Sequence, residues 1–199
     1  GPACARIRGA DAVTPEDMAV CKVMRFAYAD PPYLGCGKLY AKHHPDALIW
    51  DDPATHRDLI LRLMDEYPDG WGYSLSSTTL HTILPMCPPA VRVMAWVKPF
   101  CSFKPNVNPA YAWEPVLVMG GRKRTREEPT VADFVACNIT LQRGLTGAKP
   151  PAFCLWLFSV LGATEGDTID DLFPGTGILA ETWDAYTRQQ GLFHKPAAK

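Results

Sequence analysis

Hydrophobic and polar positions fall into short blocks along this chain, and each block suggests an element. Lys22 to Ala29 (KVMRFAYA) is a mostly apolar run, as expected of a central strand covered on both faces. Thr55 to Tyr67 (THRDLILRLMDEY) sets Leu59, Ile60, Leu63 and Met64 at helical spacing, with Asp52 or Thr55 as its cap. Gly70 to Ser76 (GWGYSLS) reads as a second strand, followed by a short helix through Leu80 to Leu84. Val91 to Val97, ended by Lys98-Pro99, and Trp113 to Met119, closed by Gly120-Gly121, read as the third and fourth strands. Ala152 to Leu161 (AFCLWLFSVL) fits a buried helix entered through Pro150-Pro151. Thr168 to Phe173 (TIDDLF) reads as a fifth strand, and a last helix runs from Ile178 to about Gln189. Strands alternating with helices imply an α/β sandwich on a mostly parallel sheet, in one domain spanning residues 1–199. The polar stretches 34–53 and 121–148 read as long, substrate-facing loops.

Composition narrows the chemistry. With 199 residues, 47% of them hydrophobic, the chain supports one sizeable core. A net charge of −1 creates no global field for a polyanion, so nucleic-acid binding needs a local basic patch. The densest one is Gly121 to Arg126 (GRKRTR), where Arg122, Lys123, Arg124 and Arg126 read either as phosphate contacts or as a solvated loop. Lys38, Lys42 and His43 fit substrate contacts near an entrance. Seven cysteines without a CxxC pair point away from a metal knuckle or a disulfide framework and towards a reducing cytoplasm. Cys36 reads as structural, and the six tryptophans as core. No run approaches the roughly 20 apolar residues of a membrane span. Gly1-Pro2 reads as a tag scar.

Two motifs carry chemistry. In RFAYADPPY (Arg25 to Tyr33) an apolar strand ends in a carboxylate, two prolines and an aromatic. In DLFPGTG (Asp171 to Gly177) a strand ends in an acid before a glycine-rich turn and a helix. The second by itself fits plain packing as well as a ligand crevice. Together, with Lys149-Pro150 before the second, they resemble the S-adenosylmethionine-dependent amino-methyltransferases that modify exocyclic nitrogens of nucleic-acid bases. The order, DPPY before the glycine-rich motif, is that of the circularly permuted β class and of the DPPW-bearing adenine methyltransferases. RVMAWVKP (Arg92 to Pro99) and WEPVLVMGG (Trp113 to Gly121) are similar to further strands of that family, so the resemblance runs from about Lys22 to Gln190.

The resemblance implies a Rossmann-like methyltransferase sandwich acting on the N6 amine of adenine in DNA, with no metal. Asp30, Pro31, Pro32 and Tyr33 would stand at the reacting amine. Asp171, Phe173, Pro174, Gly175, Thr176 and Gly177 would line the cofactor, with Lys149 near its carboxylate and Asp30 beside its amino group. An aromatic amine is a poor nucleophile because its lone pair is delocalised. Asp30 and the Pro31 carbonyl can each accept one N–H and turn that lone pair towards the methyl donor. Other substrates of the same chemistry are RNA or a modified nucleotide, and a weakly active partner subunit is the non-catalytic reading. A homodimer or heterodimer stays open, in a bacterial or phage-infected cell. The family's further strand, with its ribose-gripping acid, has no counterpart before the sequence ends. About five sheet strands are therefore expected rather than seven, with Gln190, His194 or a partner chain at the ribose.

Overall fold

A computed structural model describes residues 22–42, 45–100, 106–139 and 148–193. Its strands are β1 (Arg25–Ala29), β2 (Gly70–Ser74), β3 (Arg92–Val97), β4 (Trp113–Gly120), β5 (Phe134–Ala136) and β6 (Thr168–Asp171). They form one sheet in the order β5-β3-β4-β2-β1-β6. β1 pairs in parallel with both β2 and β6, and β3 with β5, while β4 runs antiparallel to β2 and β3. Five strands thus share one direction and β4 opposes them. The sheet has six strands among the described residues, not about five. The addition, β5, lies inside the stretch expected to be a loop, because a three-residue run (FVA) is too short to show a period. Tertiary contacts hold it: Ala95 N–H donates to Asp133 O, and the Trp96 indole N–H to Cys137 O, both at 3.0 Å.

The helices are α1 (Gly37–Tyr40), α2 (Pro53–Glu66), α3 (Leu80–Ile83), α4 (Pro151–Leu161) and α5 (Ile178–Phe193). Local chemistry sets their ends. The Asp52 carboxylate accepts the Ala54 N–H at 2.9 Å with Pro53 in the first turn, so Asp52 caps α2, while the Thr55 hydroxyl donates to Ile49 O. α4 stops at Gly162, whose φ of +65° suits a residue without a Cβ.

Both faces of the sheet are covered, which is why β1 shows no polar alternation. Phe26, Tyr28, Met94, Trp96, Val116 and Val118 pack on α4 and α5. Ala27, Ala29, Trp71, Tyr73 and Leu117 pack on the α2 side. The tryptophans divide accordingly. Trp71, Trp96 and Trp156 are core, whereas Trp113 is 40% exposed at the start of β4.

The strand starts are tied by one buried ion pair. The Arg122 guanidinium donates to both Asp167 carboxylate oxygens at 2.7 and 2.8 Å, and also to Gly162 O and Lys22 O. Asp167, 1% exposed, accepts further from the Met24 and Thr164 N–H groups and the Thr164 hydroxyl. Burial pushes its carboxyl up, but Arg122 and these N–H donors outweigh that and hold it below its ordinary value. Asp167→Ala is therefore expected to cost about 3 to 5 kcal/mol in urea unfolding at pH 7, because Arg122 loses its buried counter-charge. A depressed folded-state pKa stabilises above the unfolded value of about 3.9, so the gap between wild type and variant should close as pH falls below about 4.

Candidate active site

Parallel pairing of β1 with β6 sets Tyr28 opposite Asp171, and the Leu172 N–H extends the ladder to Tyr28 O at 3.0 Å. One strand end therefore delivers Asp30 and the other delivers Phe173 to the same carboxyl edge. In an open α/β sheet that edge is where ligands bind. The two sequence motifs, more than a hundred residues apart, become neighbours through this single pairing.

Behind Asp30 lies a buried network. The Lys149 ammonium, 6% exposed, donates to Asp30 Oδ2 at 2.7 Å and to the Tyr33 hydroxyl at 3.2 Å, and lies 3.6 Å from Glu114 Oε2. It also faces the rings of Trp96, Tyr33 and Phe153 at 5.4, 5.6 and 5.9 Å. Pro150, the extended N-cap residue of α4, disfavours helical backbone at the residue before it, so Lys149 stands outside the helix, with its side chain on Asp30. The Tyr33 hydroxyl lies 2.9 Å from Glu114 Oε2 and 3.2 Å from Asp30 Oδ1. Lys98 donates to Glu114 Oε1. Two carboxylates and two ammonium groups thus leave the cluster neutral.

Burial pushes the Asp30 carboxyl up, and Lys149 offsets that only in part, so it stays above the ordinary range. Glu114 is pushed up by burial too, but Lys149 and Lys98 together bring it below its ordinary value. Lys149 loses to burial and gains more from Asp30 and Glu114, so its ammonium is held charged. Burial, then the charges of Asp30 and Glu114, drive the Tyr33 phenol well up, so it keeps its proton.

Beside this cluster lies the glycine turn. Gly175 and Gly177 have φ of +47° and +75°, a region that favours glycine. A Cβ at Gly177 would meet nothing within 4 Å, and one at Gly175 only Phe173 O at 3.7 Å, so the backbone of the turn is open to close approach. The Asp171 carboxylate accepts the Phe173 N–H at 3.1 Å, and burial, with Asp30 nearby, raises it. Phe173 meets Trp50 edge-on at 5.1 Å, and Trp50 meets the buried His56 at 5.3 Å.

The segment 34–53 is not an unstructured polar loop. It contains α1 and a turn of 3-10 helix over Ala47–Asp51, and the Asp51 carboxylate accepts the Gly37 N–H at 2.9 Å. Trp50 pins it to the glycine turn, while Lys38 and Lys42 lie exposed on it. His43 lies outside the described residues.

The basic run sits elsewhere. Gly120 pairs with Gly70, which neighbours Phe26 at the start of β1, so Arg122 to Arg126 follow at the opposite edge of the sheet, about 15 Å of strand away from Asp30. Moreover, Arg122 is spent on Asp167, and Arg124 donates to Ser159 O at the end of α4 and to Pro129 O. Lys123, Arg124 and Arg126 are exposed at that far edge, where Arg92, Arg124 and Arg126 help line a hollow of about 430 Å³. The stretch 121–148 therefore starts far from Asp30, and among its described residues it returns to the carboxyl edge at the end of β5, where Ala136 pairs with Val97. Gln190 is also remote. α5 leaves the glycine turn and runs back along the sheet, and the Tyr186 hydroxyl donates to Ala163 O ahead of β6, one helical turn before Gln190. His194 lies outside the described residues.

Two site groups escape a reading of the motifs alone, Glu114 and Lys98. Their signal was a charge at the end of each of two apolar strands, paired across the antiparallel β3–β4 ladder next to Trp96↔Glu114. Among the described residues no group of three His, Cys, Asp or Glu is placed to hold a metal ion, and no helix is long and apolar enough to cross a membrane.

Neither a protein-family model nor a curated protein matches the chain. Among solved structures it is similar to an M1.HpyAVI–SAM complex, with 15% identity, 83% of this chain and 79% of that chain covered, and a TM-score of 0.53. The likeness shows the fold, a Rossmann-like methyltransferase sandwich.

The network predicts a measurable response. Lys149→Met removes the ammonium that opposes burial at Asp30, so the Asp30 titration midpoint, followed by carboxyl ¹³C NMR, is expected to move further up.

Proposed function

We propose that this chain transfers a methyl group from S-adenosylmethionine to the N6 amine of adenine in DNA. The observation that carries the reading is the juxtaposition of Asp30-Pro31 with the open turn 174–177 at one carboxyl edge. The likeness in fold to a protein solved with SAM supports it.

The residues present fit the cofactor. The turn offers backbone without side-chain obstruction, Asp171 offers a carboxylate, and Phe173 offers an aromatic face. When bound there, S-adenosylmethionine supplies an electrophilic methyl group on a sulfonium, whose leaving group is a neutral thioether. The chain's own residues handle the amine. Asp30 Oδ1 and the Pro31 carbonyl each accept an N–H, which favours a pyramidal nitrogen with its lone pair free. The two prolines are buried, fix their φ angles and bring no N–H of their own, so that carbonyl has no local competitor. Tyr33 gives a flat face for a base drawn out of its stack. The proton shed by the methylated nitrogen passes to Asp30, whose burial raises its affinity for it.

The placement of the arginine run favours a second substrate class. With that run at the far edge, the exposed described cations near Asp30 are Lys38 and Lys42, which suits RNA or a free nucleotide better than a long duplex.

Titration calorimetry with S-adenosylmethionine tests the cofactor. Wild type is expected to bind, and Asp171→Ala to bind about tenfold or more weakly. Labelled methyl transfer to matched DNA, RNA and mononucleotides then ranks the substrates, and Asp30→Ala is expected to lower the rate by about 10²- to 10³-fold with the fold retained. Absence of cofactor binding by wild type, both alone and with nucleic acid, overturns the reading.

A further inference from the structure

We infer that Glu114 is a positioning residue: it takes the single hydroxyl proton of Tyr33 and so leaves Oδ1 of Asp30 open as an acceptor. A phenol has one O–H to give. Two carboxylate oxygens stand within reach of it, Glu114 Oε2 at 2.9 Å and Asp30 Oδ1 at 3.2 Å. Lys149 donates to the phenol oxygen from a third side at 3.2 Å, filling one of its lone pairs, so the hydroxyl proton must point at one of the two acids.

The shorter contact is to Glu114, and its surroundings make it the better acceptor. Lys98 donates to its other oxygen and Lys149 lies 3.6 Å away, so it is held ionised by two cations. Asp30 has already committed Oδ2 to Lys149. The remaining oxygen, Oδ1, is therefore the one on which the Tyr33 proton would do damage. A hydroxyl turned onto it would occupy a lone-pair site and reduce its basicity. Glu114 prevents this from the first residues of β4, a strand that neither motif contains.

The geometry has a directional consequence. Glu114→Gln replaces a charged acceptor with a weaker amide oxygen, so the Tyr33 proton should swing to the anionic Asp30. Tyr33→Phe should then matter to Asp30 only when Glu114 has been neutralised. The other ionisable groups that face Asp30 (Lys149, Tyr28, Tyr40, Tyr73 and Asp171), and Lys98 behind Glu114, are common to both comparisons.

The test is a carboxyl ¹³C NMR titration of Asp30 in the ligand-free protein. In the wild-type background Tyr33→Phe is expected to move the midpoint by less than about 0.3 pH unit. In the Glu114→Gln background the same change is expected to raise it by about one unit, the size of one hydrogen bond to a charged group. Equal shifts in the two backgrounds overturn the inference. If Glu114→Gln fails to fold, a full-unit shift from Tyr33→Phe alone overturns it, and a negligible one supports it.

A kinetic arm rests on the methyl-transfer reading above. Glu114→Gln should lower kcat roughly tenfold with cofactor affinity unchanged, and adding Tyr33→Phe should recover part of that loss. Active wild type without such recovery counts against the positioning role. Failure of wild type to bind cofactor counts against the methyl-transfer reading alone, since the NMR arm needs no substrate.

Discussion

The carboxyl edge depends on one buried ammonium. Lys149 is removed from water and faces aromatic rings, a position that costs several kcal/mol unless opposite charge is close. Asp30 and Glu114 provide it from two strands that are not adjacent in the sheet, one from the end of β1 and one from the start of β4. Lys98 completes the balance. Removing any member leaves an uncompensated charge in a poorly solvated place, so the four ionic groups and Tyr33 behave as one unit. That unit fixes where Asp30 points, and Asp30 is the group on which the proposed chemistry turns.

The sheet topology explains how so short a strand set can serve this edge. β1 sits between β2 and β6 and is covered on both faces, so its end is held rigidly while the residues beyond it are free to turn into the site. β4, running against its neighbours, starts at the edge that holds Asp30 and finishes at the opposite one. A single strand therefore contributes Glu114 to the ion network and leads directly into Arg122, which closes the far side. α4 spans the same distance on one face, with Lys149 just before its first residue and Arg122 and Arg124 on its last carbonyls.

Much of this was legible in the amino-acid sequence. The apolar runs located five strands and the principal helices, because burial on both faces leaves an unbroken hydrophobic signature, and proline and glycine marked their ends. DPPY and DLFPGTG were visible as local patterns, and the resemblance they support agrees with the fold. What stayed hidden depended on distance in three dimensions. The strand β5 has no period to read and owes its existence to β3 and Trp96. Glu114 is a lone acid in an apolar run, and only the β3–β4 register and the turn of Lys149 show what it meets. The run GRKRTR looked uniform because charge is countable in a sequence while its partners are not. The partner of Arg122 lies 45 residues further on.

That run carries a warning for mutational mapping. Its cations divide into anchors and bystanders: Arg122 and Arg124 terminate α4 and lock the loop before β6, whereas Lys123 and Arg126 project outward. An alanine scan across the segment would register the anchors as hits in almost any functional assay, since loosening the end of α4 disturbs the helix that begins beside Lys149. Such hits would masquerade as a ligand footprint. Only the bystanders report on what touches that surface, and a scan scored without a parallel melting curve would draw its map from the wrong pair.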